Sequence, residues 1–262
     1  MIYGMYTSAL GGLIESTRVD AISHNIANLN TPGFRKEYLT LQERAPEPLE
    51  DTPDLAYYNG LVDRFGGAPY LRQSFFDSVE GVAEHTGNPM DYAISGRGFF
   101  SVRRNEEVLY TRAGNFTYAD AGGGNRRLVT AEGFPVLNDA GAPIDVPSDV
   151  DHVELRDNNQ LYFQRAGQES EPGPALALTD FDDYSRVYKA GDNLYRNLDA
   201  APIAATGRLR QGTLEKSSVN PVVEMTDMIA ALRSYEMNLQ MLKYQDSSLD
   251  RAVNEVGRPG RA

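Results

Sequence analysis

Few residues in this chain have the type and spacing to do covalent or metal chemistry. Its three histidines, His24, His85 and His152, lie far apart, and there is no cysteine. Thiolate nucleophiles and disulfides are excluded, and the His/Cys ligand set of a structural zinc site is missing. Asp182 and Asp183 are adjacent carboxylates of the kind that can divide acid and base roles. Such neighbours on a polar loop are more often solvated, and no histidine or nucleophile stands in a recognisable motif beside them. Gly96-Arg-Gly98 begins like a phosphate loop, but Ser101 replaces the third glycine and a strand pattern follows where a helix is needed. A β-turn accounts for it. No catalytic residue, cofactor or metal ligand is assigned, and the chain is not read as an enzyme. What remains is the chemistry of association, carried by apolar and small residues at regular spacing.

The longest such stretch runs from Pro221 to about Val256. Met225, Met228, Leu232, Tyr235, Leu239 and Leu242, then Leu249, Val253 and Val256, alternate steps of three and four. That is the heptad rule for a helix that supercoils against a partner. Asp246 is the position that breaks the seam. Asn220 suits the N-cap, Pro221 the first helical position and Glu224 the positive end of the dipole, while Gly257 and Pro259 end the helix. At about 1.5 Å per residue the rod would be roughly 50 Å long.

A second helix is expected over residues 3–29. Ile2, Met5, Ala9, Gly12, Ser16, Val19, Ser23 and Ile26 repeat the three-four spacing. Small residues along this stripe let another backbone approach, although Gly11 and Gly12 each cost up to about 1 kcal/mol in a helix relative to Ala. An ordinary amphipathic helix and a helix built for close contact in an assembly both remain open. His24 is a lone histidine with Asp20 four residues before it, a weak pair. Asn28, Asn30, Pro32 and Gly33 then close the helix, and Phe34 anchors the exit.

The 262 residues are 41% hydrophobic and 24% charged, enough to fold as one large domain or two modest ones. The net charge of −12 argues against nucleic acid, whose phosphates need a basic footprint. Nearly all of that charge lies in the middle of the chain, and the two ends are close to neutral. No stretch approaches the ~18 apolar residues of a membrane span. Residues 1–20 do not read as a signal peptide, so export, if it occurs, is expected without a cleaved leader.

Residues 41–72 read as an extended arm, acidic and proline-rich over Glu43–Asp54. From about Gln73 to Arg196 turn density and alternation predict an all-β module. Its expected strands are 91–94, 99–103, 107–111, 116–118, 127–130, 135–137, 152–155, 161–164 and 175–179. Asn105-Glu106 and Gly122–Asn125 are expected turns, as is Asp157-Asn158-Asn159.

Asn25-Ile-Ala-Asn-Leu-Asn-Thr-Pro-Gly-Phe34 resembles the N-terminal signature of the rod and hook proteins, the axial components of the bacterial flagellum. Thr86–Phe100, Tyr110–Phe116, Leu128–Thr130 with Gly133, and Gly191–Tyr195 resemble the family's middle segments. Gly212–Ile229, followed by Arg233, Tyr235, Glu236 and Asn238, resembles its C-terminal signature. Leu29, Arg35 and Ser218 are departures. The resemblance touches nearly the whole chain except 41–72.

The expected fold is α+β: long N- and C-terminal helices forming a coiled-coil-like core layer, flanking a mainly antiparallel β module. The expected segments are 1–40, 41–72, 73–211 and 212–262. The resemblance implies a structural component of the basal-body rod that polymerises through its terminal helices. It further implies a place in the periplasmic space after type III export, with no cofactor and no membrane insertion. Implied partners are other copies, neighbouring rod proteins and the flagellar type III export apparatus. The implied assembly motif is Asn25, Ile26, Ala27, Asn28, Asn30, Thr31, Pro32, Gly33 and Phe34. The implied assembly helix carries Met225, Met228, Leu232, Tyr235, Leu239, Leu242, Leu249 and Val253. Members of proximal-rod type are favoured over those of distal-rod type, on Asn220–Ile229 and the tail 250–258. A coiled-coil adaptor or adhesin and a β-type enzyme are the remoter alternatives.

Overall fold

The computed structural model describes residues 2–44, 67–76, 79–156 and 159–256. Helix α1 spans Ile2–Ala27. It is followed by β1 (Glu37–Arg44), β2 (Gly67–Phe76), β3 (Ala83–His85), β4 (Tyr92–Ser95), β5 (Phe99–Arg104) and β6 (Glu107–Thr111). Then come β7 (Thr117–Gly122), β8 (Asn125–Val129), β9 (Asp145–Pro147), β10 (His152–Arg156), β11 (Gln160–Gln164) and β12 (Glu171–Ala175). The remaining strands are β13 (Leu178–Phe181), β14 (Val187–Gly191), β15 (Leu194–Asn197), β16 (Pro202–Ala204), β17 (Arg208–Gln211) and β18 (Thr213–Glu215), and α2 closes the order at Pro221–Val256. The arm read over 41–72 lies outside the described residues at 45–66, and so do two residues of the turn read at 157–159.

The chain divides into two compact units. One comprises Met1–Ala27, Glu37–Phe75 and Asn220–Ala262, the other Asn28–Lys36 and Phe76–Val219. The second is the β unit. Its largest sheet orders β14-β15-β6-β5-β13-β16, and the paired strands run antiparallel. Three-stranded sheets β7-β8-β9 and β10-β11-β12 and the pairs β4-β17 and β3-β18 complete it. Asn105, with φ of 57°, turns β5 into β6, and Asp192 and Asn193, both left-handed, turn β14 into β15. Asn and Asp tolerate that conformation better than other side chains.

Successive strand residues point to opposite faces. Phe100 and Leu194 therefore enter the main core with Tyr92, Val102, Leu109, Phe116, Leu128 and Ile144, while their neighbours Phe99 and Tyr195 enter a smaller one with Phe181 and Val187. Burial on both faces explains why these strands read as continuous apolar runs.

In the helical unit α1 and α2 run antiparallel in seven-residue steps. A Cβ at Gly4 would lie 3.0 Å from Nε2 of Gln245, and one at Gly11 3.0 Å from Oδ1 of Asn238. One step further on from residue 18, Asn25 meets Glu224. The expected coiled-coil-like core layer is not what forms. Among the described residues there are two α-helices beside a mainly β module, and the hydrophobic clusters consist of residues of that module. The physical reason is the facing surface. Gly4 and Gly11 meet Gln245 and Asn238, so polar groups stand where a heptad core would place interlocking apolar knobs.

Candidate functional site

The N-terminal signature divides between the units. Its later part, Asn28–Lys36, belongs to the β unit. The Thr31 N–H donates to the Asn28 carbonyl (3.2 Å) and the Phe34 N–H to the Thr31 carbonyl (3.3 Å), which tightens the turn that Pro32 and Gly33 demand. The turn is then held from outside. The Gly33 N–H donates to the Glu215 carbonyl at 2.7 Å, Asn193 Nδ2 to the Pro32 carbonyl at 2.9 Å and Lys189 Nζ to the Arg35 carbonyl at 3.0 Å. The Ser218 N–H donates to the Phe34 carbonyl at 3.0 Å, and Ser218 Oγ accepts from the Lys36 N–H at 2.9 Å. The Lys189 ammonium lies 4.1 Å from the centroid of the buried Phe34 ring. Gly33 has φ of +65°, and a Cβ there would meet backbone atoms of Arg112 and Ala113.

Beneath the turn is a buried charge cluster. Glu215 pairs through Oε1 with Arg35 Nη2 (2.9 Å) and through Oε2 with Arg112 Nε (3.0 Å); the three side chains are 3%, 5% and 2% exposed. Oε1 also accepts from the Gly81 N–H at 2.9 Å. Arg112 Nη1 donates to the carbonyls of Gly96 (2.9 Å) and Gly98 (2.6 Å), and Arg35 Nη1 to that of Val79. Burial pulls the Arg112 guanidinium below its ordinary pKa, and Glu215 opposes the shift. Burial pushes the Tyr195 hydroxyl beside the cluster well above the usual phenol range. Such ions gain little over an apolar filling but are costly to break singly. The arrangement ties 33–36 to β18.

The earlier part of the signature belongs to the helical unit. Asn25 Oδ1 accepts from the Glu37 N–H at 2.9 Å, while Nδ2 donates to the Glu37 carbonyl (3.0 Å) and to Glu224 Oε2 (3.2 Å). His24 Nδ1 lies 3.3 Å from Glu37 Oε2, so its partner is Glu37 and not the expected Asp20. Asn220 Oδ1 caps α2 by accepting from the Val222 and Val223 N–H groups at 3.1 and 3.4 Å.

The implied assembly residues occupy several environments. Asn25, Gly33 and Phe34 are buried, Ile26, Asn28, Thr31 and Pro32 half-buried, and Ala27 and Asn30 exposed. Along α2, Met228, Tyr235, Leu242 and Leu249 are half-buried, whereas Met225, Leu232, Leu239 and Val253 are exposed. Ile229 adds to this outward flank, and Met237, Met241 and Tyr244 form a second on the other side of the buried stripe. On α1, Tyr6 and Leu13 are exposed. Beyond placing Glu224 at the positive end of the α2 dipole, the spacing of the sequence assigned no role to Glu224, Glu215, Arg112, Lys189 or Asn193. Four of the five lie inside segments that resemble the family, and that was the available signal.

Two units, signature segments held by long-range hydrogen bonds, and helices with uncovered apolar flanks define a class of structural subunit made for association. Family profiles agree along the chain. The flagella basal body rod protein profile matches residues 7–35, the flagellar hook protein FlgE/F/G D1 domain 93–168, and the flagellar basal body rod FlgEFG protein C-terminal profile 210–255. The flagellar basal-body rod protein FlgF of Caulobacter vibrioides is 34% identical over 245 residues, 93% of this chain and 92% of that protein. FlgG of the same organism is 28% identical over 257 residues (93% and 95%), and FlgG of Bacillus subtilis 29% over 265 residues (97% and 99%). The chain belongs to the flagellar basal-body rod protein family.

Proposed function

We propose that this chain, a structural component of the flagellar basal-body rod, polymerises with copies of itself and with neighbouring rod proteins through the outward faces of α1 and α2. One observation carries the reading. On α2, Met225, Ile229, Leu232 and Leu239 flank the self-covered stripe on one side, and Met237, Met241 and Tyr244 flank it on the other. Exposed apolar flanks of this kind mark an interaction surface. Association of this kind leaves the chain without a catalytic role. Export through the flagellar type III apparatus and a periplasmic position belong to the same proposal and rest on the family.

The proximal rod is the preferred place, because in one organism FlgF is the nearer of the two relatives, at 34% against 28%. The distal rod is the second reading, favoured by the near-complete coverage of Bacillus subtilis FlgG. Cross-linking to adjacent components in isolated basal bodies separates them. The association itself is tested by Leu232→Asp. Leu232 is exposed, so the isolated protein should keep its stability to within about 0.5 kcal/mol. Incorporation into rods, and with it motility, should be lost, because a charge would enter a dry contact. Normal motility of that variant would refute the assignment of this face.

A further inference from the structure

We propose that Asn25 and Glu224 form a positioning latch that sets the axial register of the α1–α2 pair, so that this residue of the N-terminal signature acts within the chain. Both side chains are 1% exposed although 199 residues separate them. The Asn25 amide is fully used, with one acceptor contact and two donor contacts to Glu37 and Glu224. Elsewhere the facing surface is matched by shape, with Gln245 and Asn238 of α2 seated against Gly4 and Gly11 of α1. Gly4 and Gly11 offer no side chain, and Ala231, fully buried on α2, offers a methyl. Contacts of shape alone recur along a helix pair, and a buried polar pair is the best-attested device for choosing one register among them. Register matters here because a slip of α2 by one turn would displace the exposed Met225, Leu232 and Leu239 by about 5 Å relative to α1.

The chain has no cysteine of its own, so an introduced pair reports register without background. A Cβ at Gly12 would lie 3.9 Å from Cβ of Asn238, inside the range of about 3.5–4.5 Å that a disulfide spans. The soluble full-length Gly12→Cys/Asn238→Cys protein should oxidise to an intrachain disulfide, read by gel mobility and mass. Adding Asn25→Asp sets two carboxylates against each other and should slow cross-linking about tenfold. Glu224→Gln keeps an acceptor for Asn25 and should leave the rate unchanged. Asn25→Asp with Glu224→Gln restores the bond between the helices, though not the one to the Glu37 carbonyl, and should recover at least half the parent rate.

A rate within twofold of the parent for Asn25→Asp overturns the latch. So does a double variant as slow as Asn25→Asp alone, and so does a parent pair that never cross-links. Circular dichroism of each variant records helix content, and rescue by the second substitution separates a specific bond from general damage. The assay uses unassembled protein, so its failure is distinct from failure of the polymerisation reading.

Discussion

Gly33 is the residue at which a single methyl group is expected to do the most harm. Its φ is +65°, and a Cβ would lie 2.4 Å from the Arg112 carbonyl carbon, 2.5 Å from its oxygen and 2.6 Å from the Ala113 nitrogen. All three are backbone atoms, so no side chain can swing aside. For Gly33→Ala the left-handed conformation costs about 1–2 kcal/mol, the overlap about 1–3, and loss of the N–H bond to the Glu215 carbonyl about 0.5–1.5, giving about 2.5–6.5 kcal/mol. Against a typical stability of about 5–15 kcal/mol this brings the β unit close to unfolding. Gly123 is the control, having the same φ of +65° and nothing within 4 Å of a built Cβ. Gly123→Ala should show the conformational part alone, about 1–2 kcal/mol. The assay is urea unfolding followed by tyrosine fluorescence, which 15 tyrosines and no tryptophan permit. If the two variants lose stability equally, to within about 0.5 kcal/mol, the close approach of the signature turn to residues 112–113 does not constrain the protein and the reasoning fails.

Arg112→Met removes one of the two cations that face buried Glu215 and should cost about 3–5 kcal/mol in the same assay; Arg196→Met, whose pair with Glu107 is exposed, should move the midpoint little. Burial raises the hydroxyl pKa of Tyr92, Tyr110, Tyr118 and Tyr195. A folded value above the unfolded one means that the stability these groups carry is intact below about pH 10 and is lost as pH rises beyond it. Ultraviolet titration should show a late-ionising class that appears together with loss of the fold; ionisation of every tyrosine near pH 10 with the fold intact would refute this. Deleting residues 2–27 should leave a soluble β unit, whereas deleting 2–36 removes Arg35 and Phe34 from its interior and should leave an aggregating or partly unfolded product, as read by size exclusion and circular dichroism.

What could be read along the chain was local. The Asn220 cap, the span of α2 from Pro221 to Val256 and the turns at Asn105-Glu106 and Gly122–Asn125 depend on residues within about four positions of one another. Where partners decide, the pattern misled. The apolar run at 175–179 has no internal break and reads as one strand, yet it is divided between β12 and β13, with Leu176 bridged to Asn138 between them. The expected strand at 135–137 forms three single bridges, to Val129, Val102 and Pro143. The short pair β3-β18 joins residues too remote, and too brief a run, for alternation to reveal.

The sequence by itself placed heptad-spaced apolar residues on helices at both ends and carried the signatures of the family it resembles. Only the tertiary structure decided which of those residues the chain covers for itself. Leu232 and Leu242 are the same residue type on the same three-four seam, yet Leu232 is exposed and Leu242 half-buried. Only the fold, likewise, set Glu215 between Arg35 and Arg112 and Asn25 against Glu224. Periodicity says that a face is apolar, and capping chemistry says where a helix stops. Which group stands opposite depends on contacts closed across nearly 200 residues, and those are selected by shape and hydrogen-bond complementarity in three dimensions.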